Sequence, residues 1–123
     1  MILNCLAVGF GGFLGAVCRY LLGLVPLKND IIFPVKTFII NIAGCFAIGI
    51  VAALALKNFK ENPRLILFLK AGICGGFTTF SSFALETNDL IKGGHTAVAF
   101  TYVILSVVIG ILMIILAQQL IKN

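Results

Sequence analysis

Apolar runs dominate the chain, and polar residues punctuate it. Four runs stand out, at about residues 2–24, 37–56, 65–91 and 96–121. Each is long enough for a membrane-spanning helix, which needs about 20 residues. Residues 25–36 form a connector with Pro26, Asn29, Asp30 and Pro34 as breakers. Residues 57–64 are a short polar loop containing Pro63, and residues 92–95 a tight Gly-Gly turn. Connectors this short make neighbouring spans antiparallel. An even number of spans places both termini on one side. The pattern therefore predicts one all-α membrane domain over residues 1–123 with four transmembrane helices. The first run lacks a basic flank and a clear small-residue cleavage site, so it reads as a span rather than a cleaved signal.

Composition sharpens this. Hydrophobic residues make up 61% of the 123 residues and charged ones 11%. A soluble fold of this size has no interior large enough to hide that apolar surface. A soluble enzyme, a nucleic-acid module and a secreted disulfide scaffold are all disfavoured. One four-helix bundle keeps little free interior after packing its own side chains. A single copy is thus a poor pore or carrier, and an oligomer is expected. The net charge of +5 comes from basic residues scattered singly between apolar runs. They read as headgroup anchors, with no nucleic-acid partner implied. The terminus side holds Lys57, Lys60, Arg64 and Lys122, with Lys70 if it snorkels that way; the other holds Lys28, Lys36 and Lys92. This weak bias permits insertion both ways round, and so an antiparallel homodimer. Cys5, Cys18, Cys45 and Cys74 lie inside apolar runs without a CxxC and read as small buried hydrophobes.

The third run is abnormal. It contains Gly72-Ile-Cys-Gly-Gly-Phe-Thr-Thr-Phe-Ser-Ser-Phe83 at membrane depth. Glycine is a poor helix former, and Ser and Thr compete for backbone hydrogen bonds. The helix is expected to break near residues 75–79 and restart, with Thr78 or Thr79 as the new cap. A break in lipid survives only where protein, water or an ion satisfies the freed backbone. Free carbonyls suit a small cation such as Na⁺, and free amides suit an anion. A kink satisfied by neighbouring helices is the plainer alternative.

Other polar residues fall at helical spacing. Phe80 and Phe83 share a face, as core or as anion-facing ring edges. Thr37 and Asn41 lie one turn apart, as do Tyr102 and Ser106, with Gly110 continuing that stripe. Ser81 and Ser82 add hydroxyls. These form a track of donors without formal charge. Arg19 either snorkels or lures anions at a vestibule. Glu86 stands four residues after Ser82 and could orient its hydroxyl. Asp89 and His95 read as solvated. No catalytic set or phosphate loop is visible, so the chain reads as a non-enzyme. The Gly11-x-x-x-Gly15 and Gly72-x-x-x-Gly76 ridges let helices approach closely.

These features together resemble the small bacterial fluoride channels of the Fluc/CrcB family. The likeness rests on Gly11-Gly-Phe-Leu-Gly-Ala-Val-Cys-Arg-Tyr20, Thr37-Phe-Ile-Ile-Asn-Ile-Ala-Gly44 and the Gly72–Phe83 stretch. It implies a dual-topology antiparallel homodimer in the bacterial cytoplasmic membrane that exports toxic fluoride passively. It also implies one structural Na⁺ per dimer, held by the Gly75 and Thr78 carbonyls of each subunit. Phe80 and Phe83 match the pore phenylalanines, Asn41 the pore asparagine and Arg19 the vestibule arginine. Tyr102 and Ser106 match the fourth-helix pore positions. Gly110 departs where a hydroxyl is expected, and Ser81-Ser82 stands where the family often has Ser-Thr. A four-helix multidrug transporter fits the length, but it needs a membrane acid in the first span, and the first acid here is Asp30 in a loop. A non-transporting membrane subunit would leave the third run unexplained.

Overall fold

The computed structural model describes residues 1–28, 30–58 and 60–122. They form α1 (Ile2–Gly23), α2 (Val35–Lys57), α3 (Pro63–Leu67), a π-helical segment (Phe68–Cys74), α4 (Gly75–Phe77), α5 (Phe80–Lys92) and α6 (Thr96–Lys122). Four stretches are long and apolar enough to cross a membrane: Ile2–Gly23, Val35–Lys57, Pro63–Lys92 and Thr96–Lys122.

Helix boundaries follow local chemistry. Pro63, read from sequence as part of a loop, starts α3 instead. A proline fits a first turn, where its missing N–H loses nothing. The Asn62 side chain caps that turn by accepting from the Leu65 amide at 3.1 Å. At the opposite end Gly94 adopts φ +84°, which closes the α5–α6 turn with the left-handed backbone that glycine tolerates.

Bonds at the two ends fix the up-and-down order. At one end the Lys57 ammonium donates to the Ile121 carbonyl at 2.9 Å, and Arg64 donates to the Asn4 side chain at 3.2 Å. Both chain termini therefore lie at that end. At the other end the Lys36 ammonium donates to the Gly23 carbonyl at 2.8 Å.

Two close packings build the bundle. The glycine ridges read from sequence meet each other. A Cβ added at Gly72 would lie 2.9 Å from the Gly11 Cα, and one at Gly76 2.9 Å from the Gly12 Cα. Backbone thus lies on backbone between α1 and the third span. Helices α2 and α6 run parallel, with Gly49 against Ala117 and Gly110 against Cys45. Gly110, where a hydroxyl was expected, leaves room for the Cys45 thiol, which a Cβ there would meet at 3.2 Å.

Few side chains are buried. The apolar core consists of Ile40, Cys74, Leu90, Ala99, Tyr102 and Ala117, while Leu6, Phe13, Phe100, Ile104 and many others are exposed. Such a surface is stable only against lipid. Cys5 and Cys18, expected to be buried, are exposed; only Cys74 is fully buried. The packed face of α1 belongs to Gly11 and Gly15. A thiol is apolar enough to face hydrocarbon without a partner.

Candidate functional site

The site begins where the third span changes backbone state. The π-helical turns were not anticipated from the sequence. They carry the Gly75 amide onto the Lys70 carbonyl, five residues back. Gly75 and Gly76, expected at the interruption, are helical; Thr78 (φ −82°, ψ 159°) and Thr79 (φ −145°, ψ 121°) are extended. Helix α5 then restarts with Thr79 as its cap, its hydroxyl accepting from the Ser82 amide at 3.1 Å. Thr78 instead donates its hydroxyl to the Cys74 carbonyl at 3.0 Å. Gly44 makes this possible, because a Cβ there would collide with the Thr78 methyl and approach the Phe77 ring.

Side chains from other helices take over the backbone bonds. Asn41 accepts from the Thr79 amide at 2.8 Å and donates to the Thr79 carbonyl at 3.1 Å. Arg19 donates from Nε to the Gly76 carbonyl at 3.2 Å. The carbonyls of residues 75–78 all lose their ordinary helical donor at this step. The Thr79 amide, which a continuous helix would give to Gly75, goes to Asn41. The Ser82 amide, which would go to Thr78, goes to the Thr79 hydroxyl. Gly75 and Thr78, the two residues read from sequence as cation ligands, are among them, while the Gly76 carbonyl takes the Arg19 bond. Gly75 and Thr78 both line one cavity.

That cavity, about 430 Å³, is walled by Asn41, Cys74, Gly75, Thr78, Thr79, Phe80, Phe83 and Ser106, among others. A second, about 340 Å³, is lined by Arg19, Lys36, Thr37, Thr79, Ser82 and Glu86 with apolar neighbours. Thr79 borders both. In the second cavity the Thr37 hydroxyl donates to Glu86 Oε2 at 3.0 Å. Glu86 is therefore tied to α2 rather than to Ser82.

Aromatic rings run in a chain away from the first cavity. Phe80 and Phe83 lie 5.9 Å apart at 53°, and Phe83 meets Tyr102 edge-to-face at 4.9 Å. Phe33, from the connector, covers the far side of Tyr102 at 5.3 Å. Tyr102 is fully buried, yet its hydroxyl has no partner among the described residues. The Ser106 hydroxyl and Glu86 Oε1 are also buried and unpartnered. Buried polar atoms are normally satisfied; of these three residues, Ser106 lines the first cavity and Glu86 the second. Phe80, by contrast, is 79% exposed.

The structure therefore brings Asn41, Phe80, Phe83, Ser106, Gly75 and Thr78 to one cavity, and Arg19, Thr37 and Ser82 to another. Ser81 borders neither; its hydroxyl lies 3.5 Å from that of Thr79. Tyr102 lines neither and packs its ring on that of Phe83. Sequence reading left Thr79 as a cap candidate only and missed Phe33 and Lys36. The one-turn spacing of Thr79 and Phe83 was an available signal; Phe33 sits in an irregular connector and gave none.

Four apolar spans around one cavity walled by neutral groups and a second that adds Arg19, Lys36 and Glu86 define a multi-pass membrane protein. A family model described as CrcB-like protein, Camphor Resistance (CrcB), matches residues 6–118, and the chain belongs to this family. A relative from Ruminiclostridium cellulolyticum, named fluoride-specific ion channel FluC, is 43% identical over 122 residues, covering 98% of this chain and 94% of its own length. Relatives with the same name from Chlorobium phaeobacteroides and Methylobacillus flagellatus are 42% and 39% identical, each over 117 residues and 91% of their own length. They cover 95% and 94% of this chain.

Proposed function

We propose that this chain is a passive, fluoride-specific ion channel of a bacterial cytoplasmic membrane, not an enzyme, and that its export of F⁻ confers fluoride resistance. The observation that carries the ion's identity is the near full-length likeness to relatives named fluoride-specific channels. The chemistry of the site supports it. Fluoride holds its water tightly, and a conducting path must replace that water at several weak sites. Neutral donors and positive ring edges meet that need without a trap.

The route runs from the Arg19 vestibule, past Thr37 and Ser82, to Thr79. It continues along Asn41, the Phe80 and Phe83 edges, and the Ser106 and Tyr102 hydroxyls. The mid-membrane interruption at Thr78-Thr79 serves this route by exposing backbone beside it. An antiparallel homodimer completes the lining. Its support is that Phe80 and Gly75, at the mouth of the main cavity, face outward from a single copy.

A structural Na⁺ fits the same reading. Hard cations take oxygen ligands, and two freed carbonyls per subunit would give four from a pair. Gly75 and Thr78 would hold it. When bound, it supplies charge that holds the two interruptions together.

Liposomes carrying the purified protein are expected to release F⁻ but not Cl⁻ down equal gradients. Phe80→Ile should lower F⁻ efflux at least tenfold while the protein elutes unchanged on size exclusion. Equal Cl⁻ release would overturn the assignment.

A further inference from the structure

Phe33 borders neither cavity of the proposed route, yet it belongs to a line of rings that begins there. Phe80 and Phe83 wall the first cavity. Phe83 meets Tyr102 edge-to-face at 4.9 Å and 65°, and Tyr102 meets Phe33 at 5.3 Å and 78°. Phe38, from the first turn of α2, packs against Phe33 at 5.4 Å and 76°. Phe33, Phe38 and Phe83 all lie on one buried cluster of Leu90, Ala99 and Tyr102.

The chain holds Phe33 in place although it lies outside a helix. Pro34 stands at φ −76° and ψ 74°, the backbone of an inverse γ-turn. Across it the Val35 amide donates to the Phe33 carbonyl at 2.8 Å. A proline ring locks φ near this value, so Phe33 is delivered at a set place beside the start of α2. Tyr102 has no comparable hold on its own ring. It is fully buried, and its hydroxyl has no partner among the described residues. Packing therefore sets the tilt of its ring, with Phe33 on one side and Phe83 on the other.

We propose that Phe33 is a positioning residue of the ion path: by backing the Tyr102 ring, it fixes where Phe83 stands in the wall of the first cavity. This rests on the channel reading above and extends it to a residue outside the route. An edge-to-face ring pair shifts the balance between ring positions about two- to tenfold. Without the Phe33 ring, Tyr102 tilts into the space left behind, and Phe83 loses its support. Phe33 also borders a cavity of about 300 Å³ with Lys28, Lys36 and Glu86. Direct contact with a passing ion there is the rival account.

The test pairs F⁻ efflux from liposomes with fluorine NMR of protein carrying para-fluorophenylalanine at Phe83 alone. Phe33→Leu keeps apolar bulk but loses the flat ring. It is expected to lower efflux about two- to tenfold, to elute unchanged on size exclusion, and to shift or broaden the Phe83 signal. Phe33→Tyr, which keeps the ring, should retain both efflux and signal. If the leucine variant fails to fold, Phe33→Met carries the same expectation, because its flexible chain also fills the space without a ring. Parent-level efflux from the leucine variant would overturn the proposal. Lowered efflux with an unmoved Phe83 signal would favour direct ion contact and overturn it too, as would a tyrosine variant that fails like leucine. Absence of F⁻ efflux from the parent would overturn the channel reading beneath, and this proposal with it.

Discussion

Asn41 offers one carbonyl and one amide, and the backbone of Thr79 engages both. Replacing it by alanine leaves a donor and an acceptor stranded at membrane depth, at about 1–3 kcal/mol for an unsatisfied group. Asn41→Ala is expected to lower the thermal midpoint in detergent and to abolish F⁻ efflux. Asn41→Asp keeps the acceptor for the Thr79 amide but places an anion in the path, so it should hold its fold better while still failing to conduct. Thermal unfolding beside liposome flux separates the two. The sequence pointed to Asn41 as polar and membrane-embedded. It did not reveal the partner, because a 38-residue separation leaves no trace in local periodicity. Glu86 is similar: its spacing suggested Ser82, while tertiary packing brought Thr37.

Among the elements, the four spans were legible from run length alone, since lipid demands continuous apolar helix. The glycine ridges were legible as ridges, and their mutual contact followed from both being small. The π-helical turns were not. Gly72 within them packs against Gly11, and no residue of the segment announces the wider turn by its own propensity. The ridge contact makes a sharp prediction. Gly72→Ala would force a methyl into the Gly11 backbone, and overpacking of this kind costs about 1–3 kcal/mol. The variant is expected to give little monodisperse protein after heating in detergent. Gly9→Ala, where nothing lies within 4 Å, should be tolerated and slightly stabilising. Chromatographic recovery of the pair against the parent checks this.

At the scale of the whole molecule, length already argued for a partner, because four spans leave little interior. In the proposed dimer, the exposed Phe80 and the Gly75 and Thr78 carbonyls would lie toward the partner. On the proposed reading, exchanging Na⁺ for a large organic cation during long dialysis should weaken the dimer and reduce F⁻ efflux. Re-adding Na⁺ should restore both. Cross-linking yield and flux, followed in parallel, would reject the ion's structural role if neither changed.

The contact of α1 with the third span has a mechanical meaning. Side chains absorb motion by changing rotamer, and glycine backbones pressed together have no rotamers to change. Helix α1 and the π-helical turns should therefore move as one stiff body, with the Arg19 bond to Gly76 riding on it. Any breathing that lets an ion advance falls to the rings and hydroxyls of α5 and α6. On the channel reading, throughput would then be set by side-chain fluctuation on a fixed frame, with no swinging helix required.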